Sequence, residues 1–315
     1  MLISLVSLNR SPGVSAACLA LAWRWPRHAL VAECDPTGGQ SLGVLDPDGT
    51  CGRRGMFELM LAARSRPLHQ ALWGQAVTLP DGSGRHYLLP GPRSPREAES
   101  LHWPRLTGLF HELDPIDVLA DCGRLRQRGT PHGLLAASDL AVLLVANNRH
   151  CLRTMTASLE VAREEAGLVG AGDDGLAVVV VRGDARTTQG FPIEEITRQL
   201  TARGVPVLGE LPWDPSGAAQ LTDVHRPGRR FDASPLLAGA ERLAREIGRR
   251  ALARRQRLRG KPQAPARHPV NGQRSPEPVA LRHRERVQAA TLPPVPRPPA
   301  GRAVVEAGEG DSRVG

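Results

Sequence analysis

Residues Ser7 to Ala16 hold the spacing in this chain with the clearest chemical meaning. An apolar run, Leu2 to Leu8, leads into Asn9-Arg10-Ser11-Pro12-Gly13-Val14-Ser15-Ala16, and a helix-like stretch follows from Ala17 to Trp25. A strand, a glycine turn and a helix N-terminus make a frame for phosphate, because backbone N–H groups and the positive end of the helix dipole meet at the turn. Gly13 and the N–H groups of Val14, Ser15 and Ala16 supply that nest, and Ser15 adds a hydroxyl for Mg²⁺. Such a turn ordinarily also brings a lysine to neutralise the β- and γ-phosphates. Here Val14 stands in that place, and Lys261 is the single lysine of the whole chain. Pro12 removes a further donor. Arg10, with Ser11 beside it, is the nearest surrogate cation. The other reading is a plain joint between a strand and its helix.

Three carboxylates stand after apolar runs. Glu33 and Asp35 flank Cys34 behind Ala29–Ala32, and Asp121 closes the run that starts at Ile116. An acid at the end of a buried strand is costly unless it is paired, hydrogen-bonded or close to a metal. Asp35-Pro36-Thr37-Gly38-Gly39 is also sound turn chemistry. For Asp121 the competing role is accepting hydrogen bonds from neighbouring backbone N–H groups. Asp139 reads as a strand start or a turn cap, and Trp213-Asp214-Pro215 as a turn anchored by an aromatic ring. The histidines show no ligand spacing, and no G-x-S-x-G frame supports a hydrolase triad.

The elements that would position these groups alternate along the chain. Strands are expected at Leu2–Leu8, Ala29–Cys34, His86–Leu89, Ile116–Asp121, Leu140–Ala146, Leu176–Val181 and Val207–Leu211. Several are continuous apolar runs, as in strands covered on both faces of a parallel sheet. Helices are expected at Ser15–Trp25, Gly55–Arg64, Pro95–Leu113, Cys151–Ala166, Ile193–Arg203 and Leu236–Leu258. The alternation predicts an α/β fold, a doubly wound and mostly parallel sheet with helices on both faces. In such folds ligands sit beyond the carboxyl ends of the strands, where Gly13, Glu33 and Asp121 fall.

Composition narrows the setting. The 315 residues are 41% apolar but only 3% aromatic, so the core rests on Leu, Val and Ala. The formal charge is +9, and the stretch from Ala251 onward carries 13 Lys+Arg against 5 Asp+Glu. The basic character therefore belongs to the C-terminal end. Residues 1–258 read as one domain and 259–315 as a disordered Pro/Arg-rich tail without apolar periodicity, suited to a protein partner or to non-specific nucleic-acid contact. The helix Leu236–Leu258 is amphipathic and basic, and is read as packing on the sheet in preference to lying on a membrane. Five scattered cysteines, Cys18, Cys34, Cys51, Cys122 and Cys151, form neither a zinc pattern nor a disulfide framework. With no signal peptide or spanning segment legible, the expected location is cytoplasmic.

Ser7 to Ala16 resembles the deviant phosphate loop of the ParA/MinD family of dimerising ATPases, K-G-G-x-G-K-[ST]-[ST]. Aligned on Gly13, the family's signature lysine falls on Asn9, its loop lysine on Val14, and its two hydroxyl residues on Ser15 and Ala16. Four further stretches follow in family order. Glu33-Cys34-Asp35-Pro36 resembles D-x-D-P, and Ile116–Asp121 resembles the second magnesium-side strand. Ser138-Asp139-Leu140 resembles a strand opening, and Val205–Asp214 resembles the late "vpvlG-x-iP-x-d" segment. The resemblance implies ATP and Mg²⁺ as ligands, with Ser15 and Asp121 on the metal side and Glu33 and Asp35 as the acids that act on water and metal. It implies Trp213 beside the base, and a homodimer. It further implies a positioning or partitioning role for chromosomes, plasmids, or pilus and secretion machinery, with members of eroded loop most like the pilus-localisation branch. With both lysine positions altered, weak or absent hydrolysis is expected. An ATPase using Arg10, and an interaction protein without nucleotide, are the alternatives.

Overall fold

The fold is seen in a computed structural model, which describes residues 1–7, 13–39, 41–46, 52–125, 129–148, 159–160, 163–164, 174–183, 190–222, 228 and 230–260. Asn9, Arg10, Ser11 and Pro12, most of the helix expected over Cys151–Ala166, Cys51, and all of the tail beyond Gly260 lie outside these residues.

Eight strands make one sheet: β1 (Leu2–Ser7), β2 (Ala29–Glu33), β3 (Val77–Thr78), β4 (His86–Leu89), β5 (Asp117–Arg124), β6 (Leu140–Ala146), β7 (Leu176–Val181) and β8 (Val207–Leu211), in the order β3-β4-β2-β5-β1-β6-β7-β8. Every neighbouring pair is parallel except β3–β4. The strands expected from apolar runs are present. The two-residue edge strand β3 escaped notice because two residues carry no periodicity.

Side-chain alternation divides the core into two layers. One layer packs Leu2, Val6, Val118, Ala120, Val178 and Val180 under α3 (Met56–Ala62), α4 (Leu68–Trp73), α6 (Trp103–Glu112), α7 (His132–Ala137) and α8 (Ile193–Thr201). The other packs Ile3, Leu5, Val31, Leu119, Val142 and Val179 under α1 (Val14–Trp23) and α10 (Pro235–Gly260). Short helices α2 (Ser41–Leu45), α5 (Pro95–Ser100) and α9 (Pro215–Thr222) complete the chain order.

The long helix expected over Pro95–Leu113 is two helices. Pro104 lies in the first turn of α6 and has no N–H to continue the ladder, Leu101 turns extended, and His102 caps α6 by accepting from the Arg105 N–H. α10 is amphipathic as expected, and its apolar face, Leu236, Leu237, Ala240, Leu243, Ala244, Ile247 and Ala251, is buried against the sheet, leaving Leu252 outside. That face is not available to a membrane. Arg254 fastens the far end of α10 by donating to the carbonyls of Ser138 and Asp139, both at 2.9 Å. No helix among the described residues is long and apolar enough to cross a membrane.

Candidate functional site

The site lies at the carboxyl ends of β1, β2 and β5, where α1 starts. Gly13 precedes α1 with φ 79° and ψ 59°, the left-handed conformation that glycine tolerates best. Its carbonyl accepts the first helical bond, from the Ala17 N–H at 2.9 Å. The N–H groups of Val14, Ser15 and Ala16 thus form the first turn of α1, and the N-cap residue, a glycine, has no side chain to cap them.

Alternation places the acids. Glu33 stands opposite Asp121 in the β2–β5 register. Cys34 and Cys122, one residue further along each strand, belong to the α3–α8 layer, so Glu33 and Asp121 face α1. Both are buried, at 3% and 2% exposure. Asp121 accepts from the Gly123 N–H at 3.0 Å and lies beside the Ser15 hydroxyl in the same cavity. Its carboxyl is pushed up to about 7, first by burial and further by the charges of Glu33 and Asp35, while the Ser15 and Gly123 bonds oppose the shift.

Glu33 is held differently. It accepts from the Ser41 N–H and the Gly91 N–H, each at 3.1 Å. A methyl group at Gly91 would meet the Glu33 carbonyl oxygen at 2.4 Å, so only glycine permits this approach. The carboxylate joins the end of β2 to the start of α2 and to the segment after β4. Asp35 accepts from the Thr37 N–H at 2.8 Å and the Thr37 hydroxyl at 2.7 Å, a turn within the loop.

These groups line a cavity of about 270 Å³ formed by Ser15, Glu33, Asp35, Thr37, Gly38, Gly39, Ser41, Asp121 and Thr222. The structure therefore brings together Ser15, Glu33, Asp35 and Asp121 as the spacing anticipated. Thr222, at the end of α9, was not foreseen, because nothing in its local sequence shows that α9 packs beside α1 and α2. Trp213 is 53% exposed and is not part of this lining. The adjacent Asp214 takes the turn role: it accepts from the N–H groups of Gly217 and Leu236 at 2.9 and 3.2 Å. Val14 and Ala16 turn their side chains into the core, Val14 at 2% exposure. Arg10 and Ser11 lie outside the described residues.

The donor set suits one form of nucleotide. The α1 N-terminus and Ser15 can receive phosphate, but the described lining holds three carboxylic acids and no basic side chain. A free polyphosphate would meet like charge. One that arrives with magnesium brings its own cation to Ser15 and Asp121. Among the described residues no group of three or more His, Cys, Asp or Glu side chains is arranged to hold a metal alone.

No family model and no curated protein matches the chain. Solved structures do. The septum site-determining protein MinD of Pyrococcus horikoshii OT3, complexed with Mg-ADP, superposes with a TM-score of 0.58 at 20% identity, over 80% of this chain and 98% of that one. The cell division ATPase MinD of Pyrococcus furiosus gives 0.58 at 20%, over 79% and 98%. A ParA family ATPase from Chlorobium tepidum TLS gives 0.54 at 15%, over 77% and 98%. The chain has the MinD/ParA fold. Within that fold, the Gly13 turn, Ser15, Asp121 and the acids after β2 lie together at the carboxyl ends of β1, β2 and β5. The three cysteines described, Cys18, Cys34 and Cys122, are free and buried, as core residues.

Proposed function

We propose that this chain is a ParA/MinD-like positioning protein that binds a magnesium nucleotide at the β1–α1 turn and hydrolyses it weakly or not at all. The observation that carries the reading is the Ser15 hydroxyl beside the Asp121 carboxyl in one cavity, behind a left-handed Gly13 at a helix N-terminus. A hydroxyl and a buried acid on the phosphate side of a helix dipole are the pair that a phosphate-bound magnesium ion requires. The bound ion would offset phosphate charge in a lining whose described residues include no basic side chain.

Slow turnover follows from the same surroundings. Phosphoryl transfer depends on positioned cations that stabilise charge as it develops. Asn9 and Val14 stand where the family carries lysines, and Val14 is buried in the core. Glu33 already accepts two backbone N–H bonds, which competes with a role on water. By the same resemblance the protein acts as a homodimer, meets a partner through its Pro/Arg tail, and places chromosomes, plasmids, or pilus or secretion machinery in the cytoplasm. The two bonds of Glu33 also favour a second reading, an interaction protein that has kept the fold and lost the ligand.

Calorimetry on the full chain separates the readings. Binding of ATP and ADP with magnesium, abolished by a chelator and accompanied by negligible phosphate release, supports the proposal. Turnover that disappears in Arg10→Ala identifies an ATPase with a surrogate cation. No heat at millimolar Mg-ATP leaves the interaction protein.

A further inference from the structure

A second cavity, of about 400 Å³, opens beyond the other half of the sheet and shares no residue with the acid-lined one. Its polar walls come from three strand ends. Asn147 follows β6, Arg182 follows β7, and Glu210 lies on β8 opposite Val180. Val178 and Val180 face the α3–α8 layer, so alternation turns Arg182 to that face, and Glu210 joins it through its pairing with Val180. Phe191, Pro192 and Ile193, which lead into α8, supply the apolar wall.

This wall is built, not incidental. The Asn147 side chain, 8% exposed, grips the Phe191 backbone from both sides: its amide donates to the Phe191 carbonyl at 3.0 Å, and its oxygen accepts from the Phe191 N–H at 2.9 Å. Any side chain at Gly190 would collide with that amide at 2.9 Å. The Phe191 ring stays 36% exposed at the rim.

Arg182 and Glu210 are diagonal neighbours of opposite charge, yet among the described residues they form no ion pair with each other or with any other group. Among the described residues the lining is neutral in sum and dipolar in arrangement. A polyphosphate would bring several negative charges to one arginine beside Glu210. We propose that this cavity binds a small apolar zwitterion of the α-amino-acid class. Arg182 takes the carboxylate through its planar fork, Glu210 takes the ammonium, and Phe191, Pro192 and Ile193 cover the side chain. The site is independent of nucleotide.

Titration of the full chain with L-phenylalanine and L-leucine tests this, with N-acetyl-L-phenylalanine and L-phenylalaninamide as probes lacking one charge each. At least one free amino acid binds, and each single-charge probe binds about tenfold or more weakly, because one charge of the Arg182–Glu210 pair is left without its partner in the ligand. Arg182→Met and Glu210→Gln each lose about tenfold for the free amino acid, with unchanged thermal midpoints, and Glu210→Gln no longer separates it from the N-acetyl probe. The wild-type probe series stands even if a variant fails to fold. No binding of either amino acid at 10 mM, equal affinity for the N-acetyl probe, or Mg-ATP binding lost in Arg182→Met while kept in Ser15→Ala would each overturn the proposal.

Discussion

Glu33 and Asp121 stand directly opposite each other on β2 and β5, buried on the same face, yet their surroundings differ: Glu33 is held by the backbone N–H groups of Ser41 and Gly91, whereas Asp121 is held by the Gly123 N–H and lies beside the Ser15 hydroxyl. One acid is tied into the scaffold. The other lies beside the first turn of α1.

Ser15→Ala removes that hydroxyl. Calorimetry with Mg-ATP should show a loss of about tenfold or more, of the size of a charge-assisted hydrogen bond. Affinity retained in the variant would remove Ser15 from the metal side.

Asp121 predicts a pH dependence. Its folded carboxyl titrates near 7, above the ordinary aspartate value of about 4. The folded state therefore holds a proton that the unfolded chain releases, so this group's contribution to stability falls as pH rises through the interval between those values and is greatest below it. The upper bound is about 1.4 kcal/mol per unit of displacement. Asp121→Asn should flatten the fall in thermal midpoint between pH 5 and 8. An unaltered slope would place the titration elsewhere.

Restoring the lysine should not restore an enzyme. Val14 is 2% exposed inside the α1 layer, so Val14→Lys must bury an ammonium or unpack the first turn of α1. Chemical denaturation should show a loss of about 2 kcal/mol or more, without a gain in phosphate release. A stable and active variant would show that the turn can present a cation.

Two glycine substitutions separate close approach from propensity. Gly91→Ala places a methyl 2.4 Å from the Glu33 carbonyl oxygen and should cost about 2 kcal/mol or more. Gly43→Ala, in α2 with nothing within 4 Å, should be neutral or stabilise by up to about 1 kcal/mol. Equal effects in urea melts would mean that the Gly91 backbone can move away from Glu33 at little cost.

Arg254 is the anchor of α10. Its guanidinium is 3% exposed and bonds two carbonyls and Asp174. Arg254→Met should cost about 2–3 kcal/mol, because it leaves the Ser138 and Asp139 carbonyls short of a donor. Proteolysis at the end of α10 should then precede global unfolding.

Much of this architecture is legible in the sequence. The apolar runs of β1, β2 and β5–β8 name the sheet because strands covered on both faces must be continuously apolar. The order of Gly13, Glu33 and Asp121 names the end of the sheet where they meet, because parallel strands point one way. Tertiary structure decided what those residues do there. The sense of one strand's pleat puts Asp121 on α1, and the loop after β4 delivers the Gly91 N–H to Glu33. The packing of α9 brings in Thr222, and the sides of β7 and β8 that face α8 set Arg182 beside Glu210 without pairing them. These are contacts between segments far apart in the chain, and local propensity carries no information about distance across a sheet.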